Sequence, residues 1–398
     1  MTLRTTVAII GAGPAGLLLG HLLHRAGIDS VVLESRSRDY IERRVRAGVL
    51  EEGAAQLLQD AGVGERLDRE GLEHGGIHLR FGGESHRIDF RELTGRGIVV
   101  YGQQEVVKDL VEARLATRAP ILFEAAAREV RGIDGDHPTI LFSHEGRDDW
   151  LECDFVAACD GSHGIGRAAM VARGAITYER NYPHAWLGLL AATPPAADEL
   201  IYAYHEHGFA LHSMRSPTVS RLYLQVASDE TLDGWPVERI WAELRLRLNE
   251  PSLEAGEILD LGITPMTSVV LEPMQSEGLF LAGDAAHIVP PTGAKGMNLA
   301  LADVAVMAAA LTDRIKTGQS EGLNSYTLNC LKRVWRAQYF SNFMTQLLHR
   351  EDLEDAFDDQ IHLAHLRYLT SSRAASKSLA ENYTGAAMGS VSLEKIGP

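Results

Sequence analysis

Two hydrophobic periods share this chain, and the switches between them mark its organisation. Val7-Ala-Ile-Ile10 is a continuous apolar run, a glycine-rich segment follows at 11–16, and Leu17, Leu18, Leu22 and Leu23 then recur at helical spacing up to Gly27. That order predicts a buried strand, a tight turn and a helix. Ser30-Val-Val-Leu33 predicts a second strand ending at Glu34. Helical spacing covers 50–67 and 103–119, while short alternating runs cover 75–100 and 121–158. The last of these, Phe155-Val-Ala-Ala158, runs into a second glycine loop, Cys159-Asp-Gly-Ser-His-Gly-Ile-Gly166. Past Pro183 and Pro194-Pro195 the period is mainly two up to about Val270, which predicts a separate, sheet-based lobe. Gly278-Leu-Phe-Leu-Ala-Gly283 returns to a buried, parallel-type strand, and an alanine-rich helix is expected over 296–311 with helical pattern continuing to about 350. The Gly208–Arg215 and Ser220–Val226 runs, joined by Ser216-Pro-Thr-Val219, read as a hairpin.

Composition narrows the picture. At 398 residues the chain exceeds what one hydrophobic core usually organises, so lobes sharing buried interfaces are expected. With 45% apolar and 23% charged residues it is neither a disordered nor a fibrous sequence. Its longest apolar stretches, such as Trp186–Ala192 and Ala305–Leu311, fall short of the roughly 18 residues of a membrane helix, so no bilayer-spanning segment is expected. Met1–Thr6 leads straight into a strand without the features of a secretory signal, and Cys153, Cys159 and Cys330 form no CxxC; both readings point to a cytoplasmic, reducing setting. The formal charge of -16 argues against nucleic acid as a partner. It also requires that any small anionic ligand meet a locally placed, buried arginine.

Gly11-x-Gly13-x-x-Gly16 carries the first chemistry. The first glycine allows a tight turn, the second close approach of a pyrophosphate, and the third close packing of helix on strand, with the helix N-terminus facing the phosphates. Glu34, 18 residues after Gly16, is placed to accept hydrogen bonds from an adenosine ribose. Its charge disfavours a 2'-phosphate there, leaving FAD or NAD. Gly283-Asp284 adds a carboxylate near the hydroxyl-rich middle of the ligand, where FAD has a ribityl chain, although an Asp in that place also serves as a simple helix cap. The fold class that follows is mixed α/β (α+β). A Rossmann-like FAD-binding domain is expected over 1–180 and a mainly β substrate-binding domain over 181–275. A return to the FAD domain with a helical C-terminal part is expected over 276–398.

Taken together, GAGPAG, the Asp160-Gly161 pair and Gly283-Asp284-Ala-Ala-His-Ile-Val-Pro-Pro-Thr-Gly-Ala-Lys-Gly296 resemble the single-component flavoprotein aromatic hydroxylases. The resemblance runs from Val7 to about Tyr383, and the segments Val45–Leu50 and Trp186–Leu190 share it. It implies FAD as cofactor and NADPH or NADH as transient co-substrate. With O2 they would hydroxylate 4-hydroxybenzoate to 3,4-dihydroxybenzoate through a flavin C4a-hydroperoxide. It further implies cofactor contacts from Gly11, Gly13, Gly16, Glu34, Arg44, Arg46, Ala47, Gly48, Gln103, Asp160, Asp284, Gly296, Met297 and Asn298. Tyr40, Arg44 and His163 match positions for the nicotinamide donor, and Arg36 stands at another of them with a changed residue. Tyr202 matches the residue that bonds the substrate's phenol oxygen, Tyr383 its relay partner and His74 the solvent end; Pro291 offers its carbonyl to the phenol and Thr292 adjoins it. A homodimer through the helical C-terminal part is implied as well.

The hairpin supplies an independent expectation for the substrate's other end. Ser213 and Arg215 share one strand face, as do Arg221 and Tyr223 on the next strand, while Leu222, Leu224 and Val226 face the opposite way. On the hairpin alone Arg215 reads rather as a solvated residue paired with a surface acid. With the resemblance it becomes the buried arginine that the charge argument requires, clamping a carboxylate through two parallel hydrogen bonds. Departures from the family pattern are Ala15, Ser35-Arg36 and Thr267, the last three leaving the choice between NADPH and NADH open. Tyr204 and His212 also differ and are expected beside the pocket, where they could admit a further ring hydroxyl and make a related acid such as 3,4-dihydroxybenzoate the substrate. A non-catalytic FAD redox sensor is the alternative from another class, and Ser213, Arg215, Tyr202 and Tyr223 argue against it. A halogenase lacks its WxWxIP signature here, and no HExxH or metal-spaced cysteine set points to a metal.

Overall fold

The computed structural model describes residues 3–46, 48–351 and 355–385. Its first body is a six-stranded sheet in the order Gln275–Ser276, Leu279–Leu281, Phe155–Ala158, Val7–Ile10, Ser30–Leu33 and Ile121–Leu122. All neighbours but the first pair are parallel. A parallel sheet is covered on both faces, and Val7–Ile10 and Ser30–Leu33 are accordingly buried along their whole length. The Pro14–Arg25, Gln103–Ala116 and Gly296–Thr317 helices supply the cover, packing Leu17, Leu18 and Leu22 against Val106, Leu110, Leu301 and Val304 in one core. At 22 residues, Gly296–Thr317 is by length and composition alone apolar enough to cross a membrane, a test that a buried core helix also meets. Two-thirds of its apolar window is buried inside this core.

Arg114, on the Gln103–Ala116 helix, is almost fully buried and reaches Gly20 O, Ser30 Oγ, Ser30 O and Pro120 O at 2.6–3.2 Å. Burial without a carboxylate lowers its pKa to about 10, so it is a cation bonded only by neutral oxygens. R114M keeps the stem but strands three carbonyls, and a loss of about 3 kcal/mol in denaturant melts is expected. A loss below about 1 kcal/mol would mean that water replaces the guanidinium.

The second body is an eight-stranded sheet in the order His287–Ile288, Glu257–Glu272, Ile176–Ala192, Val219–Ala227, Ala210–Ser216, Leu200–Ala203, Gly76–Phe81 and Glu84–Asp89. The expected boundary at 181 therefore changes. Its long central strand begins at Ile176, and Gly76–Asp89, counted with the first domain, pairs here through Gly76–Phe81 against Leu200–Ala203. Crossovers of this kind leave no break in period at the boundary, which is why the sequence hides them. On one face Leu187, Leu189, Ile201, Leu222 and Leu224 pack under the Val237–Arg247 helix. The other face, with Leu79, Tyr202, Leu211, Trp186 and Tyr223, meets the Tyr326–Leu348, Ala356–Ser371 and Arg373–Tyr383 helices.

Candidate active site

A cleft of about 440 Å³ opens along the carboxyl ends of the parallel strands, where α/β sheets bind ligands. At its floor Gly11 has φ +99°, and a Cβ there would stand 2.4 Å from Cys159 O. A Cβ on Gly16 would meet Gly11 O at 2.0 Å, so the turn closes only with glycine at both places. Gly13 caps the Pro14–Arg25 helix, whose free N–H groups and dipole face the cleft. Glu34 accepts the Ala12 N–H at 2.8 Å and the Arg36 N–H at 2.7 Å, which fixes its carboxylate at the cleft edge. Asp160 accepts the Gly166 N–H at 2.9 Å, keeps its second oxygen unpartnered, and is pushed up in pKa by burial. Arg44, Arg46, Gln103, Asp284, Gly296 and Met297 complete the wall. A cleft with a glycine turn at a helix N-terminus, a carboxylate fixed by two backbone N–H groups and further carboxylates on its wall fits FAD.

Not every expected cofactor residue is on that wall. Asn298 is buried behind it: its amide bonds Val49 O and Ala294 O and its oxygen accepts the Glu51 N–H, so it braces the segment 49–51. Gly48 is set back against Tyr101, where a Cβ would meet the carbonyl at 2.3 Å. Ala47 lies outside the described residues. Arg36, Tyr40, Arg44 and His163 all line the cleft, and the Arg36 and Arg44 guanidinium groups stand 5.3 and 6.0 Å from the Tyr40 ring centre. Neighbouring Arg38 and Arg43 are paired with Glu42 and Asp39.

The second constellation lies on the face of the eight-stranded sheet turned to the C-terminal helices. Register sets Tyr202 opposite Leu211, Leu211 opposite Tyr223 and Ser213 opposite Arg221, so these residues share one face. The Tyr202 and Tyr383 hydroxyls, 181 residues apart in sequence, are 2.6 Å from each other and wholly buried. Burial raises the pKa of both above the ordinary tyrosine value, so each remains protonated at neutral pH. The strand register slips between Met214 and Ser216, placing Arg215 at a bulge, a device that re-aims a side chain. Part of Arg215 is exposed, but its Nε and Nη1 are shut off from solvent with no partner among the described residues. Burial lowers its pKa, and Tyr223 is the group in contact with it.

Pro291–Gly293 forms a single tight turn beside this face. Thr345 donates to Ser341 O at 2.8 Å, so the 2.9 Å contact between hydroxyls makes Thr292 the donor to Thr345. Lys295 reaches from the same loop to Glu51 at 2.6 Å and to Tyr383 O at 2.7 Å, tying loop, cofactor-side strand and tyrosine pair together. No pattern in the sequence singles out Lys295; a lone lysine in an otherwise apolar PPTGAKG segment is its only trace. Trp186 is a second residue of this kind: it donates to His349 at 2.6 Å and lies 4.8 Å from the Tyr223 ring.

Three expectations change. His74 is buried, with Nε2 3.1 Å from Met214 Sδ and no direct hydrogen bond to Tyr383 among the described residues. Burial lowers its pKa to about 4, so it is neutral at pH 7. His212 pairs across the sheet with Ile201 and Leu222, on the face away from the pocket, and accepts the Ala196 N–H at 3.1 Å. Tyr204 shares the pocket's face but gives its hydroxyl to Asp359 at 2.7 Å. Arg221 holds Asp260 at 2.6 Å and stands over the Tyr223 ring.

The family described as FAD binding domain matches residues 4–341. The chain is 47% identical to p-hydroxybenzoate hydroxylase of Acinetobacter baylyi over 96% of each sequence. It is 27% identical to 6-methylpretetramide 4-monooxygenase of Streptomyces rimosus, over 79% of this chain and 76% of that one. Among solved structures, p-nitrophenol 4-monooxygenase of Pseudomonas putida superposes with a TM-score of 0.84 at 20% identity, over 97% of this chain and 99% of that one, a likeness of fold.

Proposed function

The chain belongs to the FAD-dependent aromatic hydroxylases, the family match spanning residues 4–341, and from that premise we propose that it converts 4-hydroxybenzoate to 3,4-dihydroxybenzoate with NAD(P)H and O2. The observation that carries the substrate is Arg215, a guanidinium with two sealed, unpartnered nitrogens, which shares Tyr223 as a neighbour with the buried Tyr202–Tyr383 pair. A flat acid with a carboxylate at one end and a phenol at the other answers both.

In this reading Arg215 takes the carboxylate with help from Ser213 and Tyr223. Tyr202 donates to the phenol oxygen and favours its ionised form. Tyr383 passes the released proton outward; His74, neutral at pH 7 and not bonded to Tyr383, is assigned only to the far end of that relay, where it would hold the proton in passing. Pro291 and Thr292 supply a rigid edge, because the Thr292 hydroxyl is held by Thr345. When bound, FAD supplies hydride acceptance and oxygen activation. The chain supplies binding, orientation and the exclusion of water by Trp186, Phe209 and Leu211, all of them buried. His212 and Tyr204 do not widen the pocket, which favours the monohydroxy acid over 3,4-dihydroxybenzoate as substrate.

The donor and the assembly belong to the proposal too. Arg36, Tyr40, Arg44 and His163 are assigned to the nicotinamide cofactor. A homodimer is assigned to the C-terminal helices, where Trp335, Tyr339, Phe357, Ile361 and Tyr368 stand exposed. Three buried free thiols support a reducing, cytoplasmic setting.

The test loads the protein with FAD and follows NADH and NADPH oxidation separately, with and without 4-hydroxybenzoate, while product and peroxide are quantified. Stimulated oxidation with one 3,4-dihydroxybenzoate per nicotinamide is expected. Stimulation that yields mainly peroxide would make another aromatic acid the substrate, and no stimulation by any aromatic acid would overturn the pocket.

A further inference from the structure

Behind the Gly283–Asp284 turn lies a buried ion pair that no role above uses. His287 and Asp303 are 1% and 2% exposed, with Nε2 2.6 Å from Oδ2. The same Asp303 oxygen accepts the Gly283 N–H at 3.0 Å. Gly283 has φ +62°, and the next residue, Asp284, presents itself to the cleft. The turn is held from other sides as well. Arg167 donates to Ala285 O at 3.0 Å and to Asp284 O, and Tyr326 donates to Leu281 O at 2.7 Å. Asp303 is thus the carboxylate that fixes the turn's leading N–H, and His287 is the imidazole bonded to the same oxygen, its pKa raised by that contact.

We propose that Asp303 and His287 are positioning residues for FAD, the paired carboxylate holding the Gly283 N–H so that Asp284 stays directed at the cofactor. The proposal rests on the reading of Asp284 as a cofactor contact. A buried carboxylate that lost its counter-charge would seek a proton or a new partner, and either would release its directed bond to Gly283.

The groups facing His287 are Asp303 on the Gly296–Thr317 helix, Asp284 on the turn and Arg167 on the Ile165–Ala172 helix; Tyr326 and Cys330 stand near Asp303 from the Tyr326–Leu348 helix. Burial works to lower the His287 pKa, but contact with Asp303 outweighs it and leaves the pKa raised above 6.5. A raised folded pKa means that the pair's contribution is complete below about 6.5 and is lost as pH rises through the folded value. FAD affinity should therefore be level on the acid side and decline on the alkaline side.

The experiment measures the FAD dissociation constant of apo-protein by flavin fluorescence between about pH 6 and about pH 9.5. In H287Q and D303N a rise of about tenfold at neutral pH is expected, the scale of one charge-assisted hydrogen bond, with the alkaline decline removed. A dissociation constant within about twofold of the parent, with the same pH dependence, would overturn the proposal. Y326F is the comparison for mere structural loosening: it lowers the melting temperature but keeps the alkaline decline. D284N separates the two readings, since unchanged FAD affinity in D284N sinks the Asp284 assignment whatever H287Q does. If neither pair variant folds, the unmodified protein decides, because FAD binding without an alkaline decline would overturn the proposal by itself.

Discussion

Replacing Arg215 with alanine is expected to lower kcat/KM for 4-hydroxybenzoate by about a thousandfold, mostly as a rise in KM. Breaking a desolvated carboxylate–guanidinium pair costs about 4 kcal/mol, and each 1.4 kcal/mol is about one decade. FAD content should not change, since Arg215 is not among the residues that line the cofactor cleft. R215K keeps the charge but not the planar fork, so it should recover only part of the loss. R215M gives a further, opposite result. In the free protein Nε and Nη1 are sealed without partners, a desolvation cost with no compensating bond. Removing it should raise the melting temperature while substrate affinity collapses, a trade between stability and function. A fall in kcat/KM below about tenfold in R215A would show that the carboxylate binds elsewhere.

How far these assignments could be read before the structure depends on the range of each interaction. The cofactor cleft was legible because its parts are local: strand, glycine turn and helix succeed one another within Val7–Arg25, and Glu34 follows on the next strand. Face-sharing on the Ala210–Ser216 and Val219–Ala227 hairpin was legible for the same reason, as period two fixes it. The bulge at Arg215 was not, because a single inserted residue leaves no mark on the pattern. The 2.6 Å contact between Tyr202 and Tyr383 joins a strand to a helix 181 residues later, and no spacing rule spans that distance. His212 shows the opposite failure. It was expected beside the pocket although it sits one residue from Ser213, and alternation sends it to the far face. The bracing role of the Asn298 side chain was hidden for a different reason: it adjoins Met297, which lines the cleft, but helical geometry turns its amide onto Val49 O and Ala294 O.

Tyr202→Phe carries the other large expected effect, and it tests the phenol end as Arg215 tests the carboxylate end. A phenol of pKa about 10 is ionised to roughly one part in a thousand at pH 7, and lowering that pKa to neutrality takes about 4 kcal/mol. Tyr202 does not act as the base. Burial holds its own pKa well above 10, so its hydroxyl remains a donor and stabilises the substrate's oxyanion. Deleting it should lower kcat roughly several hundredfold at pH 7, the fall in ionised fraction, while KM moves only a few-fold because the Arg215 clamp stays. The deficit should shrink as pH rises toward the free phenol's value, since hydroxide then does what the hydrogen bond did. Tyr383→Phe leaves that donor in place and removes only the relay, so its loss should be nearer tenfold. Ultraviolet titration of bound 4-hydroxybenzoate separates binding from chemistry. The phenolate band should appear near neutrality in the unmodified protein and close to about pH 10 in Y202F. Were the band to appear at the same pH in both, the activation would lie outside the tyrosine pair, and the 2.6 Å contact would be a packing feature of the buried sheet face.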